Sequence, residues 1–287
     1  MGLNYERIMA WSPADIAVRY GQQDCIIYAL GVGLGMDPVD SGQLKFVYER
    51  APLEAFPTMA VVLGWPGRMT DPEFGLDETM VVAAELKVTL ARPLATSDAL
   101  MARTRVDEVV DRGPGGPAIV LVKRELSAAD GTLVARIDSN LLARKHGGFG
   151  GKVTTLPEPP AMPARPPDYV CDLPTPPNLA LLYRLTGDEN PLHADPARAK
   201  AAGFPRPILH GAATFGIAAH AILRQLDYRA ERLASIGARF SRPVFPGETI
   251  RTEIWRDGTA FAFQCHVDGR EEVVLANGQA TLRDEQA

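Results

Sequence analysis

Ile208-Leu209-His210-Gly211-Ala212-Ala213-Thr214-Phe215-Gly216-Ile217-Ala218-Ala219-His220-Ala221-Ile222-Leu223-Arg224-Gln225-Leu226 is apolar nearly all the way round. A helix at a protein surface carries a polar face, so a segment without one predicts a helix buried inside the fold. Such a helix needs a cover. Downstream, residues 233–242, 248–256, 260–267 and 272–282 are short alternating runs separated by Pro246-Gly247, Asp257-Gly258 and Asp268-Gly269. Alternation broken by turn residues reads as an antiparallel meander, and its apolar face supplies the cover. Upstream, residues 81–90, 99–110, 118–126 and 134–142 repeat the pattern. Arg92-Pro93-Leu94-Ala95-Thr96-Ser97-Asp98 also matches Arg242-Pro243-Val244-Phe245-Pro246-Gly247-Glu248 in its place between strands. Tyr28-Ala29-Leu30-Gly31 before Asp37-Pro38 echoes Tyr183-Arg184-Leu185-Thr186-Gly187 before Asp195-Pro196. The expectation is an α+β protein in which an antiparallel sheet wraps around one central helix, twice.

The two copies are separated by nine prolines between Pro157 and Pro177, too dense for a helix or a central strand. We therefore expect an N-terminal repeat over 1–152, a proline-rich linker over 153–167 and a C-terminal repeat over 168–287. The 287 residues, 46% hydrophobic and 23% charged, suffice for two cores. With a net charge of -5 and no basic run longer than Arg144-Lys145-His146, no nucleic-acid partner is expected. The longest apolar stretch, Cys25 to Met36, covers 12 residues, short of a membrane span. Met1 to Glu6 lacks the layout of an export signal, and Cys25, Cys171 and Cys265 fit neither a disulfide framework nor a zinc spacing. A cytoplasmic location with reduced thiols is expected.

Chemistry concentrates between Pro176 and Gly211. Asn178 reads as a helix N-cap and Gly187 as the stop of that helix, while Asp195-Pro196 opens a second helix that Gly203 closes. Asp188-Glu189-Asn190-Pro191-Leu192-His193 is thus a short loop pinned at both ends. It holds a carboxylate, an amide and an imidazole close enough to share one water, which general acid–base catalysis requires. Taken singly, Asp188 fits solvated turn chemistry, Asn190 an ordinary turn before proline and Asp195 a cap. A metal set of His193, Asp195 and His210 lacks a regular ligand spacing, so no metal is expected. Gly211 opens the buried helix, where free backbone N–H groups favour developing negative charge. Close packing explains a glycine there equally well. Gly31-Val32-Gly33-Leu34-Gly35 hints at a dinucleotide fingerprint, but Asp37-Pro38 breaks any following helix.

Tyr183-Arg184-Leu185-Thr186-Gly187-Asp188-Glu189-Asn190-Pro191-Leu192-His193, then Pro207-Ile208-Leu209-His210-Gly211 and Thr214-Phe215-Gly216, closely resemble the signature of the R-specific enoyl-CoA hydratase 2 (MaoC-like dehydratase) family. The likeness extends to Tyr28-Ala29-Leu30-Gly31-Val32-Gly33 and Gly147-Gly148-Phe149-Gly150-Gly151, and to Ala238-Arg239-Phe240 with the Arg242–Gly247 stretch. It implies a double hotdog fold and reversible hydration of a trans-2-enoyl-CoA to the (3R)-3-hydroxyacyl-CoA, without a cofactor. Asp188 and His193 would be the catalytic pair, Asn190 would help hold the water, and Gly211 would give its N–H to the thioester oxygen. Arg112 would lie near the CoA moiety, with Phe240, Pro191 and Leu192 touching substrate. Where many relatives carry His-Gly-Glu, this chain has Ala83-Ala84-Glu85, so the contacts of that strand are not carried over.

An acyl-CoA partner and a homodimer are expected. The N-terminal copy has Gly33-Leu34-Gly35 in place of the acid and base, so it is expected to house the acyl chain, with Met59, Val61 and Leu63 as lining. The alternatives are an acyl-CoA thioesterase, which has no need of an Asp/Asn/His loop, and a non-catalytic acyl-CoA-binding protein.

Overall fold

The computed structural model describes every residue except 1, 68, 70, 78, 79, 152–155, 157, 271 and 285–287. The N-terminal half runs through α1 (Tyr5–Met9), β1 (Ile16–Tyr20), α2 (Gln22–Gly31), α3 (Ser41–Val47), β2 (Val81–Leu90), β3 (Asp98–Asp111), β4 (Ala118–Ala128) and β5 (Leu133–Ala143). The C-terminal half follows with β6 (Tyr169–Pro174), α4 (Leu179–Tyr183), α5 (Pro196–Ala201), α6 (Gly211–Arg224), β7 (Leu233–Phe240), β8 (Thr249–Asp257), β9 (Ala260–Val267) and β10 (Glu272–Leu282).

All the strands join one antiparallel 10-stranded sheet in the order β1-β3-β4-β5-β2-β7-β10-β9-β8-β6. Read outward from the middle, each half repeats the other strand for strand, which is the doubled hotdog. The seam lies between β2 and β7, where Glu85, Leu86, Lys87, Val88 and Thr89 pair with Arg239, Ala238, Gly237, Ile236 and Ser235. Glu85 also clasps the seam with its side chain: Oε1 meets Arg239 at 3.0 Å and Oε2 accepts from Asn140 Nδ2 at 2.5 Å. The carboxylate of the Ala83-Ala84-Glu85 stretch is thereby committed to structure.

Helix α6 fills the C-terminal hotdog and is buried from Ala213 through Leu223, as its sequence demands. The core it enters is continuous across the seam, joining Phe215 and Ile222 to Tyr28, Phe56 and Val88 of the other half. The N-terminal copy differs. Where α6 would have its counterpart stands only a short 3₁₀ turn, Pro57–Val61, because Gly64, Pro66 and Gly67 follow too soon for a helix to continue. Beside this turn lies a cleft of about 200 Å³ lined by Arg19, Asp24, Tyr28, Met59, Leu63 and Leu185. Of the three residues expected to line an acyl pocket, Met59 and Leu63 border this cleft. The carbonyl of the third, Val61, accepts from Nη2 of the buried Arg124.

Candidate active site

Three short elements shape the loop expected to carry the chemistry. Helix α4 runs into a 3₁₀ turn over Arg184–Thr186, and Gly187 ends it in the left-handed region (φ 119), where a side chain would strain the backbone. Asn178 stands at the N-cap position of α4, but its side chain makes no cap bond there, contrary to expectation. Past Gly187 the chain is held by its own polar side chains. Asp188 Oδ1 accepts from Asn190 N at 3.2 Å, and Asn190 Oδ1 accepts from Leu192 N at 3.1 Å to start the 3₁₀ turn Pro191–His193. That bond commits the Asn190 oxygen, so its NH₂ is what it can offer a water. Asp195 caps α5, accepting from Ala197 N at 2.8 Å with Pro196 next. This is the capping role expected of it.

His193 is 8% exposed and points into the fold. Its Nδ1 lies 2.9 Å from the Ile208 carbonyl, which can only accept. The hydrogen-bond network therefore assigns the proton to Nδ1 and leaves Nε2 as a lone pair. Burial lowers the pKa of His193, opposed by the Ile208 bond and by Asp188, so the ring is neutral and basic near neutral pH. Underneath lies His210, fully buried, its ring stacked on that of His193 with centroids 3.8 Å apart and planes 29° apart. His210 Nε2 donates to the Asp188 carbonyl at 3.1 Å. Burial, then the neighbouring His193, push its pKa down to about 3.

The carboxylate of Asp188 and one ring nitrogen from each histidine lie within 4.8 Å of one another, a donor set that suits a divalent cation by type. Asp188 thus replaces Asp195 in the set weighed from sequence. Geometry argues against an ion, because an imidazole binds in its own plane and rings 3.8 Å apart and tilted by 29° have planes that meet well beyond the ~2 Å of a nitrogen–metal bond. The same groups can surround a water.

Gly211 is the first residue of α6, and the N–H groups of that first turn have no acceptor within the helix. They face a site where the helix dipole favours negative charge. A Cβ at Gly211 would sit 3.2 Å from Phe240 Cε1 on β7, so the two residues expected at the thioester are in contact. The approach to Gly211 is fixed by Leu209 N, which donates to the Val244 carbonyl at 2.7 Å. Pro191 is exposed and Leu192 half-buried beside the loop. Arg112 stands apart. It is exposed in the turn between β3 and β4, and among the described residues no hydrogen bond or ring contact joins it to the 188–193 loop.

His210 is the residue that sequence reasoning undervalued, since it was weighed only as a metal ligand. Its place directly before the helix-opening Gly211 was the available signal. The Tyr183 ring, on α4, packs 4.9 Å from that of His210.

Residues 18–145 match the MFE-2 hydratase 2 N-terminal domain and residues 159–277 the MaoC like domain. Enoyl-CoA hydratase ChsH3 of Mycobacterium tuberculosis is 35% identical over 93% of this chain and 98% of its own length. The peroxisomal multifunctional enzyme type 2 of Mus musculus is 37% identical over 92% of this chain, which spans 36% of that longer protein. The crystal structure of a MaoC-like dehydratase from Phytophthora capsici superposes with a TM-score of 0.87 at 31% identity, covering 99% of each chain.

Proposed function

This chain belongs to the MaoC-like dehydratase and hydratase 2 family, and on that premise we propose that it is an enoyl-CoA hydratase. It adds water to a trans-2-enoyl-CoA to give the (3R)-3-hydroxyacyl-CoA and runs the reverse dehydration. The observation that carries the reading is that the Asp188 carboxylate lies within 4.8 Å of a ring nitrogen of His193, whose Nδ1 is taken up by the Ile208 carbonyl so that Nε2 keeps its lone pair. In this mechanism the water oxygen attacks C3 while Asp188 and His193 share the water's deprotonation and the delivery of a proton to C2 on the same face. Asn190 steadies the water through its NH₂. As C2 becomes nucleophilic, charge moves to the thioester oxygen, which the Gly211 N–H and the α6 dipole stabilise. Phe240, Pro191 and Leu192 contact the substrate, and Arg112 meets the CoA moiety.

The division of labour follows the two copies, with 168–287 catalytic, 153–167 a linker and 1–152 receiving the acyl chain. The cleft between Met59, Leu63 and Leu185 supports that assignment, since it lies mainly in the N-terminal half and reaches Leu185 and Thr186, just before the 188–193 loop. The same reading makes the enzyme a homodimer of the cytoplasm, where its three free, buried cysteines stay reduced. Light scattering tests the first statement. Cell fractionation tests the second, with the peroxisome as the competing compartment.

The deciding assay follows the absorbance of the conjugated enoyl thioester on a panel from crotonyl- to long-chain enoyl-CoA. A fall without thiol release supports hydration. Thiol release would mean a thioesterase, and binding without either change a non-catalytic carrier. Activity should survive excess EDTA, because every group in the mechanism is a side chain or a backbone N–H.

A further inference from the structure

We propose that His210 is a positioning residue for the hydration site, holding Asp188 and His193 in register with the Gly211 N–H through a hydrogen bond and an aromatic face. The proposal rests on the hydratase reading above. Four consecutive residues, Ile208 to Gly211, set the constraints. The Ile208 carbonyl fixes the His193 tautomer, the His210 Nε2–H grips the Asp188 carbonyl, and Gly211 opens the helix. His210 is the only member of this run that touches both halves of the pair, since its ring also floors the His193 imidazole at 3.8 Å.

A purely structural role does not account for an imidazole here. Among the described residues His210 Nδ1 is buried with no hydrogen-bond partner, with the Tyr183 ring packed against its imidazole. Buried polar atoms without partners destabilise a fold, and an apolar ring of similar shape would fill the space without that penalty. What an apolar ring lacks is the Nε2–H that reaches the Asp188 main chain. Stacking matters separately. It keeps water off one face of His193 and so helps hold that ring neutral, which a general base requires.

Two variants separate the functions. His210→Phe keeps a ring face and loses the donor; His210→Gln keeps an N–H at similar reach and loses the face. The charged or titratable groups facing the two imidazoles are Asp188 on the loop, Tyr183 on α4 and Arg184 just after it. For His210→Phe, kcat should fall about 10–100-fold with KM changed by less than about threefold, the scale of a misplaced catalytic group. For His210→Gln, the loss in kcat should be smaller, and the acidic limb of the pH profile should rise toward the ordinary histidine value. His220→Gln, at the other imidazole of α6, serves as the control and should lower Tm with kcat within about twofold.

Nitrogen NMR of the imidazoles reads the His193 tautomer and titration in every folded variant, whether or not it turns over. Both His210 variants folded, with kcat within twofold and an unmoved His193 titration, would overturn the proposal. So would equal slowing by His220→Gln, which would mean that α6 acts only as a scaffold. If the wild-type protein hydrates no enoyl-CoA, the hydratase reading fails, while the NMR still reports whether His210 orders His193.

Discussion

Two loops in this chain hang from the same helix. After α2, the carbonyl of Val32 faces His220 Nδ1 at 3.3 Å; after α4, the carbonyl of Asp188 accepts from His210 Nε2 at 3.1 Å. Each loop then leads to a short helix capped by an aspartate, Asp40 in one copy and Asp195 in the other. The anchoring is alike and the contents differ. The N-terminal loop is occupied by Gly33-Leu34-Gly35, with Gln43 Oε1 accepting from Gly35 N at 2.6 Å, and Asp40 is also bound by Tyr228 and Gln43. Asp40 is thus a structural cap, as Asp195 is in the other copy. The C-terminal loop leaves an acid and a lone pair facing one space. The frame that suspends a loop from the central helix is therefore indifferent to chemistry, which depends on what the loop presents.

The largest break in that comparison comes from emptying the C-terminal loop. Asp188→Asn and His193→Ala should each lower kcat by roughly 10²–10⁴, about 2.7–5.5 kcal/mol of transition-state stabilisation, with the circular dichroism spectrum unchanged. The double variant should be little worse than the poorer single, because groups serving one water are not additive. Strictly multiplicative losses would show that they work on separate steps.

The N-terminal copy should answer to substrate length instead. Leu63→Phe narrows the cleft and should weaken long-chain enoyl-CoA by about 1–3 kcal/mol in kcat/KM while crotonyl-CoA stays within a few fold. Equal slowing of both substrates together with a lower Tm would assign Leu63 to core packing alone.

Acid should loosen both suspensions. His210 and His220 are held at about 3 and about 4, chiefly by burial, against an ordinary value of 6.5. A histidine depressed in the folded state binds more protons when unfolded as pH falls. Its stabilising contribution is therefore complete above about 6.5 and is lost progressively toward the folded values, at up to about 1.4 kcal/mol per pH unit for each ring. Denaturant melts between pH 7 and 5 should show a falling midpoint, and His220→Gln should flatten the slope. A slope unchanged by that variant would remove His220 from the account.

The smallest effect is steric. Gly211→Ala brings a methyl to 3.2 Å from the Phe240 ring and should cost about tenfold in kcat/KM, near 1.4 kcal/mol. Adding Phe240→Leu should recover part of the loss. No recovery would point to a backbone shift at the helix opening.

Periodicity made the sheet legible where strands are long and one face is buried. Residues 81–90 and 260–267 form strands with those same bounds, whereas the run expected to reach 242 stops at Phe240: Ser241 N makes one more bond, to the Val274 carbonyl, before Pro243, which has no N–H to give. The edge strands β1 and β6 were not legible. They are five and six residues long, and β6 emerges among prolines that only an edge tolerates. The 188–193 loop announced itself because caps and turn residues bracket it locally. The stack of His193 on His210 did not, since two rings 17 positions apart meet only when the loop folds back over the α6 opening. The missing N-terminal helix was written in Pro57, Gly64 and Pro66, but the apolar run between them resembles a helix core.

The seam between β2 and β7 has a consequence for stoichiometry. Two copies that meet through five facing residue pairs within one chain cannot dissociate on dilution or exchange partners with another molecule. Under the proposed division of labour, each polypeptide carries one reactive copy and one receptive copy already matched. Mixed populations with two reactive copies or none, which separate subunits would form by chance, never arise. The receptive copy is thereby free to accumulate substitutions that no self-associating subunit could tolerate in its own catalytic loop.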